Sequence, residues 1–250
     1  MHKDNNMPRK WLKTFEMRAK QKKYKQNIKI ANDNINVILK SDYNPIIEYS
    51  GGKDSLVLLD LIMKYDKSIP VYNYHPGYGK YSKQIYRTQE THKEVMKSAY
   101  QTGVENITVV NTPFSRKNYL IGDYFDLLFK LMKDLGCDLE LLGIRGDESI
   151  TRKHRVKGSL IRKENHRLVS FPIRHLTWQD IWTYIVTNDL FYVSHYDKYG
   201  KIYGYDKVRF TSHFNKNELH LGGSYLFDKI IDPYNANEVA KPNDYWDKGR

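Results

Sequence analysis

The sequence predicts an α/β fold: a doubly wound, mainly parallel sheet with helices on both faces. Three observations carry this expectation. From residue 45 onward, short apolar runs alternate with helical segments. The runs are apolar throughout rather than at every second position, which marks strands covered on both sides. A glycine pair, Gly51 and Gly52, fills the turn between the first run and the helix after it.

Each element follows in order. Residues 1–40 read as a basic helical extension with 11 Lys/Arg against 3 Asp/Glu, so this segment alone carries +8 of the chain's +12. Its apolar residues Trp11, Leu12, Phe15, Ala19, Ile28, Ile30, Ile35, Val37 and Ile38 suit one or two amphipathic helices packed by a single stripe. Its lysines suit either a solvated face or a contact surface for DNA or RNA.

Residues 41–186 hold the α/β domain. "PIIEYS" (45–50) is the first strand and "DSLVLLDLIMKYD" the first helix of the domain. "IPVYNYH" (69–75) is a second strand, followed by a helix around "QETHKEVMKSAYQTG" that Gly103 terminates. "NITVVN" (106–111) is a third strand, and "IGDYFDLLFKLMKDLG" a helix closed by Gly136. "LELLGIR" (139–145) is a fourth strand. Residues 151–167, with seven Lys/Arg and one Glu, read either as a mobile solvated loop or as a receiver for a polyanion. In "LTWQDIW", Thr177 caps a helix with Asp180 three residues on, and Trp178 and Trp182 pack that helix onto the sheet. Residues 187–250, rich in Tyr, Asp, Asn and Gly, form a C-terminal region on the same domain.

Composition narrows the class. The longest apolar runs are too short and too interrupted for a membrane span. The one cysteine, Cys137, forms no internal disulfide and suits a reducing cytoplasm. A net charge of +12 points to an anionic partner.

The glycine turn carries the chemistry. Unpaired N–H groups at a helix start, with the helix dipole behind them, attract anions. Gly51 and Gly52 permit close backbone approach. Lys53 adds a full charge, and the Ser50 and Ser55 hydroxyls can donate to phosphate oxygens. Asp54 either caps the helix or holds Mg²⁺ on a polyphosphate. The turn lies at the carboxyl end of a strand, where open α/β sheets bind ligands.

Ser50-Gly51-Gly52-Lys53-Asp54-Ser55 resembles the SGGKDS pyrophosphate loop of the adenine nucleotide α-hydrolase superfamily. Within it, the chain resembles the phosphoadenosine phosphosulfate reductase family. "GIRGDESITR" (143–152) is similar to that family's strand-end element, and "FPIRHLTWQDIWTYI" (171–185) to its Trp-containing helix. The resemblance implies an adenine nucleotide held by residues 50–55 with His75, Gly143, Arg145 and Glu148, and charge neutralised by Lys53, Arg145 and Arg152. It also implies Mg²⁺ carried with ATP near Asp54.

One departure bears on the reaction. Reductases of this family attack sulfur with a cysteine thiolate near the C-terminus, and many relatives hold an iron–sulfur cluster on four thiolates. After Cys137 this chain has no cysteine; "KVRFTSHF" (207–214) has Thr211, Ser212 and His213. No iron–sulfur cluster is expected. The expected activity is cleavage of ATP to AMP and pyrophosphate, adenylylating sulfate or a group on a nucleic acid or carrier protein. Two alternatives stay open: a reductase-like enzyme using an external thiol, and a non-catalytic nucleotide-sensing module. A partner subunit is compatible with all three.

Overall fold

The computed structural model describes residues 5–75, 89–111, 121–164 and 166–208. Six strands form one sheet in the order β3-β2-β1-β4-β6-β5. They are β1 (Pro45–Glu48), β2 (Val71–His75), β3 (Ile107–Asn111), β4 (Leu139–Leu141), β5 (Ile161–Glu164) and β6 (Arg167–Ser170). All neighbours are parallel except β5 and β6, which form an antiparallel hairpin. The chain winds outward through β2 and β3, then crosses β1 to start again at β4. The carboxyl ends of β1 and β4 therefore flank the topological switch point, where a crevice opens in sheets of this kind.

Eight helices accompany the sheet among the described residues: α1 (Arg9–Ala19), α2 (Lys22–Leu39), α3 (Lys53–Met63), α4 (Gln89–Tyr100), α5 (Ile121–Asp134), α6 (Ile150–Arg155), α7 (Trp178–Thr187) and α8 (His195–Tyr203). Side-chain alternation along the strands divides the core. Ile47, Leu139 and Leu141 face a large cluster with α1, α2, α3 and α7, while Ile46 and Tyr72 meet Leu128 and Met132 of α5. Leu142 and Val169 point the same way as Ile46 and meet Val156, just after α6, and Phe171. Helices thus cover both faces.

The predicted helix terminators hold: Gly103 and Gly136 follow α4 and α5 with φ of +88° and +65°. The Thr177 cap holds too. Its Oγ1 accepts the Asp180 N–H at 3.2 Å, and Asp180 Oδ2 accepts the Thr177 N–H at 2.9 Å. None of the described helices is long and apolar enough to cross a membrane.

Three expectations are corrected. Residues 151–167 are not a loop: they form α6, β5 and the start of the hairpin's second strand, and much of their charge is satisfied internally. Arg155 and Arg162 pair with Glu164, and Arg167 pairs with the buried Glu140. The tryptophans of α7 join an aromatic cluster rather than the sheet alone. Trp182 stacks on Phe15 and meets Tyr192, Tyr196 and Tyr205 edge-on, while Trp178 meets Trp11 and Phe15. The first and fourth strands are also shorter than predicted, ending at Glu48 and Leu141.

Residues 9–39 accordingly form a layer of the fold. Phe15, Ala31, Ile35 and Ile38 are buried, and Arg18 reaches Asp180 at 2.7 Å. Every lysine from Lys10 to Lys40 is exposed. This basic surface lies on the α3/α7 side of the sheet, while α6 lies on the α5 side.

Candidate functional site

The strand β1 delivers the chain through buried Tyr49, whose hydroxyl meets Ser98 Oγ at 2.5 Å, into the glycine turn. Gly51 adopts φ +85°, and a Cβ there would fall 2.6 Å from Val95 of α4. Glycine is required at this position twice over, by backbone conformation and by space. Gly52 is extended and precedes the first residue of α3, Lys53. The Ser50 and Ser55 hydroxyls lie 3.0 Å apart, and Ser55 Oγ also donates to Gly52 O at 3.0 Å.

A charged network fills the first turn of α3. Lys53 Nζ donates to Asp54 Oδ2 at 2.9 Å, and Arg145, arriving from the end of β4, donates through Nε to Asp54 Oδ1 at 2.6 Å. Arg145 also donates through Nη1 to Asp147 Oδ2 at 3.2 Å and to Leu176 O at 3.3 Å. Burial opposes ionisation of Asp54, but Arg145 and Lys53 outweigh it and hold the carboxyl well below its usual range. Burial lowers the Lys53 pKa, with Asp54 acting in the opposite sense.

Asp54 therefore does not cap α3. Both its oxygens are engaged by cations, and the described residues contain no cluster of three His, Cys, Asp or Glu able to hold a metal.

Gly143 supplies a second close approach. A Cβ there would lie 2.8 Å from both Cα and N of Ser55, so glycine lets the chain after β4 pack directly against the first turn of α3. Glu148 accepts the Arg145 N–H at 3.1 Å and pairs with Arg152 of α6. Arg152 is thus joined to the cradle through Glu148, on its rim. His75 is the last residue of β2, paired with Asn111; its side chain lies outside the described residues.

Two participants were not legible in the sequence. Tyr196 of α8 accepts the Lys53 N–H at 2.9 Å, and Asp147 accepts the Trp178 N–H at 2.9 Å while holding Arg145. Neither contact has a local signal, since Tyr196 stands 143 residues from Lys53. Asp147 could have been suspected from its place inside "GIRGDES".

Cys137 is remote from all of this. It precedes β4 and donates to Pro45 O at 3.7 Å, at the amino end of β1. Five residues of extended chain separate Pro45 from Ser50, roughly 15 Å. Burial, and then Asp138, raise its pKa. "KVRFTSHF" lies outside the described residues from Phe210 onward, and so does Arg209.

An open α/β sheet with a strand-end glycine turn, a lysine and an arginine at its switch point places the chain in the adenine nucleotide α-hydrolase-like fold class. The sequence model of the phosphoadenosine phosphosulfate reductase domain matches residues 44–212, and the chain belongs to that family. It is 30% identical over 159 residues to adenosine 5'-phosphosulfate reductase 2 of Bacillus subtilis (strain 168), covering 60% of this chain and 66% of that relative. Among solved structures, it resembles the FMN adenylyltransferase of Candida glabrata in complex with ATP. That likeness has a TM-score of 0.53 and 16% identity, over 71% of this chain and 59% of the other. The phosphoadenylyl-sulfate reductase of Candida auris, in a phosphate complex, aligns with a TM-score of 0.47 and 15% identity, over 77% and 93%.

Proposed function

We propose that the chain binds ATP, as its magnesium salt, with the β- and γ-phosphates at residues 50–55, and transfers the adenylyl group to an acceptor. The acceptor's nucleophilic oxygen attacks the α-phosphorus, the bond to the bridging oxygen breaks, and pyrophosphate leaves. Lys53 and Arg145 exchange Asp54 for phosphate oxygens, so positive charge already assembled meets the charge building on the leaving group. Arg152 acts at the rim. His75 and Gly143 border the adenosine end, as the family resemblance implies. The acceptor is sulfate or a group on a nucleic acid or carrier protein.

One observation carries this choice over reduction. The single thiol lies at the opposite end of the strands from the cradle, so no cysteine of this chain can reach a sulfur bound there. The fold is one that takes ATP in the Candida glabrata enzyme. The name of the Bacillus relative favours a second reading, a sulfonucleotide reductase in which an external thiol is the nucleophile.

Both are tested together. ATP with Mg²⁺ should raise the melting temperature, because a ligand selective for the folded state stabilises it. Pyrophosphate should be released from ATP once the acceptor is present, and Lys53→Ala should abolish both effects. Adenosine phosphosulfate with a thioredoxin reductant should yield no sulfite. Sulfite production that survives Cys137→Ser would overturn adenylyl transfer in favour of the external-thiol reaction.

A further inference from the structure

The cations of residues 151–167 are divided by the direction of the hairpin. Ile161 pairs with Ser170 at the carboxyl end of β6, and Glu164 pairs with Arg167 at its amino end. At that amino end a groove of about 470 Å³ opens between the hairpin, α5 and the residues before β4. It lies at the opposite end of the strands from the cradle.

The lining combines two chemistries. Phe129, Met132 and Leu168 give an apolar floor, and Phe129 stacks on Phe125 with centroids 6.1 Å apart. Lys133, Lys163 and His166 stand exposed at the rim. Arg167 is fixed beneath them, paired with Glu140 and lying 4.7 Å from the Phe125 centroid. The rim's one carboxylate, Asp138, is turned to the Asn44 N–H, which it accepts at 2.8 Å.

We propose that this groove binds one nucleotide of a single-stranded nucleic acid, its base against Phe129 and its phosphates on Lys133 and Lys163. The volume is in the range of small-ligand sites, roughly 300–1,000 Å³. An exposed aromatic ring beside lysines is the combination that holds single strands, since every base offers a π-face and every linkage a charge. A strand, rather than a free nucleotide, is indicated by continuity of charge. Lys163, Lys157 and Lys153 are all exposed and follow the hairpin back to α6, whose Arg152 stands at the rim of the cradle. The proposal is independent of adenylyl transfer, and its test contains no ATP.

A fluorescently labelled single-stranded oligonucleotide of about 12 nucleotides, as DNA and as RNA, is titrated with the full chain while anisotropy is read at several salt concentrations. The double variant Lys133→Gln, Lys163→Gln should lose at least about tenfold in affinity and flatten the log–log salt slope by about 1.4, the value for two single-strand contacts. Phe129→Ala should lose about fivefold or more. These side chains are exposed at the rim or floor, and thermal melts verify that both variants stay folded. Cys137 lines the same groove and is the chain's one thiol, so bound oligonucleotide should slow its alkylation. Unchanged affinity in both variants, or alkylation at the same rate with and without oligonucleotide, would overturn the proposal. So would displacement of the oligonucleotide by AMP at matching concentration, which would make the groove a mononucleotide site.

Discussion

Glu48 shows how one side chain ties the sheet to pH. It ends β1 half-buried, opposite Tyr72, and on the same face as Glu140. Burial, and then the negative charge of Glu140, push its carboxyl up to about 7, against the pull of Arg167, Arg155 and Arg152. The raised value means that folding takes up a proton between the unfolded pKa near 4.5 and about 7. The stabilising contribution is therefore complete below pH 4.5 and lost as pH rises through 7. Glu48→Gln should match the parent at pH 4 and exceed it at pH 8 by on the order of 2 kcal/mol. Urea midpoints at the two pH values check this; equal midpoints at pH 8 would mean that Glu48 ionises at no cost.

At the scale of elements, α7 shows which interactions are local and which are tertiary. Thr177 and Asp180 close the capping box, but Asp180 also accepts from Asn27 Nδ2 at 2.9 Å and pairs with Arg18. Thr177→Ala should cost about 1 kcal/mol, as a lost cap does. Asp180→Ala should cost about 3 kcal/mol or more, because Arg18 loses its partner in a mostly buried setting. Denaturant midpoints of the two variants decide the order, and equal costs would reduce Asp180 to a capping residue. The cap was legible because it spans four residues of sequence. The link to Arg18 was not, because it spans 162. The same distinction explains the strands. β1, β2 and β4 are buried on both faces and read as apolar runs, whereas "IRKE" and "RLVS" hide a hairpin behind arginines that pair inside the fold. The glycine turn was legible in the sequence, but the pairing of Asp54 with Arg145 was not, because it spans 91 residues.

At the scale of the molecule, the basic N-terminal layer separates into an apolar stripe that holds the fold and lysines that do not. Converting Lys20, Lys22, Lys23 and Lys25 to Gln should leave stability within about 0.5 kcal/mol, as for most surface changes. Deleting residues 1–40 should lower the melting temperature sharply or yield insoluble protein, since Trp182 and Trp178 lose the cover of Phe15. A truncated chain that melts with the parent would show that α1 and α2 are dispensable to the core.

The seat of α1 on α7 also sets an order of events during synthesis. Residues 9–39 leave the ribosome well before the surfaces that receive them, Asp180, Trp182 and the Tyr192–Tyr205 cluster, which are made some 160 residues later. Asn5 waits as long, donating to Leu190 O from 185 residues away. Contacts of such separation close late, because the loop entropy must be met before the contact rewards it. Until then Trp11 and Phe15 lack the rings of α7 that cover them in the folded chain.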